Sequence, residues 1–265
     1  MRLSAYISGL GVLGPGLCNW PEAAAVLAGR QVYTPAPAVL PVPAILPAAE
    51  RRRTGRVVRL ALGIALEATA QAGEDPTALA SVFSSSGADG HNCHELCQAL
   101  ALAGREISPT RFANSVHNAA AGYWSIGTGA MAESNVLCAF DASFAAGLLE
   151  ALTQVAVDRE PVLLVAYDTE YPPPLHAKRP IPDAFGVALV LTPEKRASSL
   201  ARMDAALTES GFDRLAEADL EALRSAFPAA RSLPLLRLLA ARGNGRAILE
   251  YLDVSRMEVQ IESCV

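Results

Sequence analysis

Between residues 80 and 191, apolar runs of strand length alternate with stretches of helical spacing, and this order limits the fold more than any other feature. Ala80–Gly87 and Asn135–Phe140 read as strands. Pro161–Tyr167 and Ala184–Leu191 are nearly continuous apolar strands, the second stopped by Pro193. His91–Ala103, Val116–Ala130 and Ala142–Val157 have helical spacing. A strand with no polar face must be covered on both sides, and strands separated by helices call for parallel crossovers. The expectation is an α/β layered fold around a buried sheet. Tyr171-Pro-Pro-Pro174 makes the link between the last two strands extended and irregular.

Before this block, the chain from Ser4 reads as a buried strand running into a glycine loop at Gly9-Leu-Gly-Val-Leu-Gly-Pro-Gly16. Trp20 to Gly29 has helical spacing and ends on a C-capping glycine. Residues 35–49 are rich in Pro and Ala and suit a surface excursion. Thr54 to Ala72 is apolar on too many sides for a surface helix, so it should be buried on most of them, with Gly73 as its stop. The composition changes near Lys195. Beyond it, charged helices are expected at Arg214–Phe227 and Leu233–Ala241, then strands around Arg246–Asp253 and Met257–Glu262. The expected division is a domain over residues 1–195 and a shortened αα-ββ segment over 196–265 packing on it.

Composition removes several functions. A net charge of −5 with no long basic run argues against nucleic acid. No apolar run of about 18 residues escapes polar or helix-breaking interruption, so no membrane span is expected. The glycines near the N-terminus also break any leader-like stretch. Five cysteines without framework spacing fit a reducing cytoplasm. Cys93, His94 and Cys97 lie one helical turn apart but lack a second ligand pair, so no metal is expected. Ser84-Ser-Ser-Gly87 lacks the glycines of a nucleophile elbow and the lysine of a phosphate loop; it reads as a strand end.

Four further pieces occur in a telling order. They are Ile7-Ser-Gly-Leu-Gly-Val-Leu-Gly-Pro-Gly16, Ile107-Ser-Pro-Thr-Arg-Phe-Ala-Asn-Ser-Val-His-Asn118, the stretch Glu133–Ala151 around Phe140-Asp-Ala-Ser-Phe144, and Arg179–Pro193. Together they resemble the β-ketoacyl synthase family of condensing enzymes. The resemblance implies a thiolase-like layered fold (α-β-α-β-α), with the N-terminal half complete and the C-terminal half truncated. A synthase cysteine works at the N-terminus of a buried helix, where the dipole and backbone N–H groups favour the thiolate and the oxyanion. The resemblance puts that nucleophile position at Phe140, which cannot be acylated. It implies no catalytic residue in this chain. Cys138, two residues earlier, is either a buried strand cysteine or the nucleophile of a redrawn turn, and Asp141 beside it would oppose a thiolate. The family's two histidines lie in the missing half. The four histidines here are His91, His94, His117 and His176, and His117 is read as a local or interfacial group at the start of the central helix.

The implied function is that of a chain-length-factor-like subunit, similar to short proteins of aryl-polyene-type systems. Such a subunit pairs with a β-ketoacyl synthase and meets acyl carrier protein through that complex, without a cofactor. Arg51-Arg-Arg53 reads as a solvated helix start where an acidic carrier helix could also dock. The expected tunnel and interface residues are Asn135, Val136, Leu137, Cys138, Phe140, Phe144 and His117. A divergent acyltransferase using Cys138 and a structural homodimer remain the alternatives.

Overall fold

The computed structural model describes residues 2–264. In chain order it builds β1 (Arg2–Leu13), α1 (Trp20–Leu27), a short α2 (Ala48–Arg51), α3 (Arg56–Ala72), β2 (Ala80–Ser84), α4 (Gly90–Ala101), α5 (Pro109–Ala113) and α6 (Ala119–Thr128). Then come β3 (Ser134–Leu137), α7 (Ser143–Asp158), β4 (Val162–Asp168), β5 (Phe185–Thr192), β6 (Ala201–Thr208), α8 (Ala218–Ala226), α9 (Leu233–Ala241), β7 (Gly245–Leu249) and β8 (Arg256–Ser263). All eight strands join one sheet in the order β3-β2-β4-β5-β1-β6-β8-β7.

Every residue of β4 and β5 is buried, as their unbroken apolar sequence requires. Side chains of β4 alternate between two cores. Leu164 and Ala166 face a core built with Trp20, Phe144, Leu148 and Phe227 from α1, α7 and the C-terminal helices. Leu163 and Val165 face another built with Leu60, Ile64 and Trp124 from α3 and α6. Each fully buried leucine of this kind contributes about 1.5–3 kcal/mol relative to exposure. The layers are therefore helix, sheet and helix.

Several expectations are corrected. The sheet is mixed: β2 pairs in parallel with β3 and β4, but β5 is antiparallel to both β4 and β1. The glycines at 9 and 11 lie within β1 and not in a loop. A Cβ at Gly9 would sit 2.1 Å from Ala68 O, and one at Gly11 2.1 Å from Ile64 O, so α3 can lie on β1 only because they are absent. Where β6 stops pairing with β1 at Ile7, α3 takes over the exposed amides: Leu10 N donates to Gln71 Oε1 and Val12 N to Glu67 Oε2. The helix expected over Val116–Ala130 begins later, because residues 114–118 form a turn after α5. Strand β6 was not foreseen. It continues the sheet from β1, and β8 and β7 follow, so the C-terminal residues extend the one sheet instead of starting a second.

The segment Phe140–Asp158 is long and apolar enough to cross a membrane by length and hydropathy alone. Its helix α7 instead buries Phe144, Leu148, Leu152 and Val155 in the core.

Candidate functional site

The segment between β3 and α7 is a tight elbow. A 3-10 turn, Phe140–Ala142, runs directly into α7. Phe140 has φ of +51°, a left-handed conformation that bulky residues rarely adopt. Ser143 holds the elbow from inside the helix: its Oγ donates to Phe140 O at 2.7 Å and accepts from Ala139 N at 3.1 Å. Ser84 Oγ donates to Ser143 O at 2.6 Å, tying the helix start to the end of β2. Gly147 allows this approach, since a Cβ there would lie 2.8 Å from Ser84 Cβ and 2.9 Å from Leu164 Cδ1.

The Phe140 ring is 62% exposed, but it is not free. The guanidinium of Arg179 lies over it, 3.8 Å from the ring centroid. Asp141 forms ion pairs with Arg179 at 2.5 Å and with Arg231 at 3.1 Å. Arg231 also meets Glu250 at 3.1 Å, and Glu250 pairs with Arg224 of α8 at 2.6 Å. Asp141 is thus the hub of two arginines.

Cys138 is exposed, which corrects the expectation of a buried strand cysteine. Its thiol donates weakly to Ser86 O at 3.4 Å. No histidine is hydrogen-bonded to it among the described residues. His117 points elsewhere: its Nε2 lies 3.2 Å from Ser85 Oγ. That hydroxyl donates to Gly87 O at 2.7 Å, so the imidazole is the donor to Ser85. Burial holds His117 below the ordinary histidine range, hence neutral at pH 7. Ser85 is 1% exposed, and its bond to the half-buried His117 ties the end of β2 to the turn before α6.

Sequence reasoning missed Asp168, which closes β4 and is 3% exposed. Its carboxylate accepts from Ser86 N at 2.9 Å, Ser86 Oγ at 2.5 Å and Ala229 N at 2.9 Å. Burial pushes its pKa up to about 6, while those donors and Arg179 pull the other way. The available signal was a carboxylate ending an otherwise apolar strand, which must find partners.

Phe144, expected at the tunnel, is 1% exposed and packs in the core beneath α7. Asn135, Val136 and Leu137 are half-buried on β3, with Asn135 Nδ2 donating to Glu150 Oε1. Ser81 N donates to Glu133 O and Ser85 N to Leu137 O. Odd-numbered residues of β3 therefore face β2, and Ser134 and Val136 turn their N–H and C=O groups outward from the sheet's end. The opposite end is protected. Asp213 N donates to Ile248 O and Ile248 N to Asp213 Oδ2, both at 2.8 Å, which covers β7. Exposed apolar side chains collect in the sequence leading to β3 and the elbow, among them Phe112, Val116, Ile126 and Met131.

Cys93 and Cys97 are exposed neighbours on α4, and burial together with Cys97 raises the Cys93 thiol. Among the described residues no three His, Cys, Asp or Glu side chains converge as a metal site. A cavity of about 560 Å³ is lined by Arg52, Arg53, Arg56 and Arg111 against Asp89, Glu95 and Glu170. It includes none of the elbow residues.

The profile described as β-ketoacyl synthase, N-terminal domain, matches residues 20–237. The chain belongs to the β-ketoacyl synthase family. No curated protein sequence matches it significantly. Solved structures do. A chain from a ketosynthase (ApeO) in complex with its chain length factor (ApeC) from Xenorhabdus doucetiae has a TM-score of 0.73 at 24% identity, over 97% of this chain and 99% of that one. A chain of the ishigamide ketosynthase/chain length factor has a TM-score of 0.73 at 14% identity, over 98% and 99%. A chain of AntDE:AntF, a type II acyl carrier protein in complex with its hexaketide-bound ketosynthase, has a TM-score of 0.75 at 10% identity, over 99% and 100%. At these identities the likeness establishes the thiolase-like ketosynthase fold. In this synthase-family chain, the elbow is a strand, a tight turn and a buried helix, with an aromatic ring at its tip.

Proposed function

We propose that this chain is the non-catalytic, chain-length-factor-like partner of a β-ketoacyl synthase in a polyene, polyketide or fatty-acid-like pathway. The observation that carries this reading is the elbow itself. Its left-handed residue and helix N-terminus would suit a thiolate, but residue 140 is a phenylalanine, which cannot be acylated. The partner then supplies the cysteine and histidines and performs the decarboxylative condensation. Acyl carrier protein is engaged through the pair, in the cytoplasm, where the five free thiols suit reducing conditions.

The two sheet ends support pairing through β3. One end is covered by Asp213, and the other presents outward amides, with exposed Met131 just ahead of the strand. An antiparallel contact with a partner strand across a pseudo-two-fold axis would satisfy those amides, within an interface of more than ~2,000 Å². The same edge could join two copies of this chain, so the partner's identity is part of the test. Co-expression with a β-ketoacyl synthase of the same pathway class should give a one-to-one complex that condenses malonyl units onto carrier-bound acyl chains. The chain alone should neither be acylated by an acyl thioester nor turn over. Acylation of isolated protein at Cys138 would establish the divergent acyltransferase instead.

A further inference from the structure

The Phe140 ring is mostly exposed, yet its backbone is strained and its pose is fixed by charges drawn from far along the chain. Arg179 lies flat over the ring and grips Asp141, the next residue. The second Asp141 oxygen is held by Arg231, Arg231 by Glu250, and Glu250 by Arg224. Arg224 is itself anchored: its side chain is only 5% exposed and it makes two hydrogen bonds to Glu221. A backbone bond from Ala229 to buried Asp168 fixes the turn that carries Arg231. The tip of the elbow is thus wired to α8 and to the residue following β7, both contributed by residues beyond 196.

Core packing does not require this wiring, because the ring is outside the core. A left-handed, solvent-facing phenylalanine held by a stacked guanidinium is an apolar surface kept at one angle before anything binds it. We infer that Arg179, backed by Asp141 and Arg231, is a positioning residue that sets the direction in which Phe140 meets the end of an apolar acyl chain in the synthase complex. The inference rests on the reading of this chain as a length-setting partner. Product length then depends on the ion chain as well as on the volume at position 140. Lysine at 179 would keep the charge but lose the planar guanidinium over the ring, so Arg179→Lys separates orientation from electrostatics.

The test uses the intact complex with its synthase and carrier protein, and reads carrier-bound products by mass spectrometry. Phe140→Ala should lengthen the distribution by up to about two two-carbon units, since the volume removed matches about three to four methylenes. Arg179→Lys should shift it in the same direction with the complex still eluting as wild type. Asp141→Asn, which frees both arginines at nearly constant shape, should do likewise and serves if the lysine variant fails to assemble. In the Phe140→Ala background, Arg179→Lys should add nothing, since the group it positions is gone. A wild-type distribution from both Arg179→Lys and Asp141→Asn, with Phe140→Ala shifted, overturns the positioning role alone. An additive shift in the double variant overturns it too, because Arg179 would then act independently of the ring. An unshifted Phe140→Ala overturns the length-setting reading beneath it.

Discussion

Replacing Val136 by proline tests the outward edge of β3 without touching the ladder inside the sheet. Residues 133 and 137 accept bonds from β2, so the amide of Val136 points away from the fold. Proline removes that donor and puts ring carbons where a partner carbonyl would approach, yet edge positions of this kind tolerate it. Losing one bond and leaving a buried carbonyl unsatisfied costs about 1–3 kcal/mol, and the displaced strand costs more. The pair should therefore dissociate on the order of 10- to 100-fold more readily, since about 1.4 kcal/mol is a factor of ten. Val136 is half-buried against the α3 core, so Val136→Ala is the control for lost packing. Titration calorimetry or sedimentation of purified subunits measures the dissociation constant, and thermal unfolding of this chain measures the fold. A proline variant that binds as tightly as the alanine control would refute pairing through β3.

Three further outcomes are expected. Cys138→Ala should leave condensation by the pair unchanged, and lost turnover with assembly intact would reinstate that thiol as a nucleophile. Phe144→Ala should destabilise the fold by about 3–5 kcal/mol, because its side chain is buried in the core; a small effect on melting with a large effect on product length would return it to the tunnel wall. Asp168 has a folded pKa of about 6, raised above its ordinary 3.8, so the folded state holds the proton more tightly than the unfolded chain. Its contribution is favourable at low pH and is lost as pH climbs from about 4 through 6, to roughly 3 kcal/mol if that displacement holds. Asp168→Asn should remove this component, and parallel melting profiles for wild type and variant across that range would contradict it.

How much of this could be read from sequence depends on the distance over which each feature is determined. Strands β4 and β5 were legible because their runs are apolar up to the closing Asp168 and Thr192, and α3 because its apolar residues exceed one face. Strand β6 was not, because Ala201, Met203 and Ala205 supply its buried face with small or flexible residues, while Arg202 and Asp204 alternate weakly against them. The glycines of β1 were read as a loop because their reason is the backbone of α3, more than fifty residues away. The elbow was legible as a motif, and the residue at its tip with it. The ion chain was not: Asp141, Arg179, Arg231 and Glu250 look like ordinary surface charges until the fold brings them together.

That contrast bears on why the elbow keeps its shape. A bulky residue in the left-handed region costs about 1–3 kcal/mol and persists only where its surroundings over-determine it. Here residue 140 is a phenylalanine, and Ser143, Ser84, Gly147 and the two arginines all enforce the turn. A turn with no remaining role could relax through any loop substitution that removed one of these contacts. The conformation is instead held from both sides, by hydroxyls within the fold and by guanidinium groups over it. Its remaining product is the orientation of one exposed ring, beside the unprotected end of the sheet. Orientation of a surface group matters only to whatever meets that surface, and on the proposed pairing that is the synthase partner.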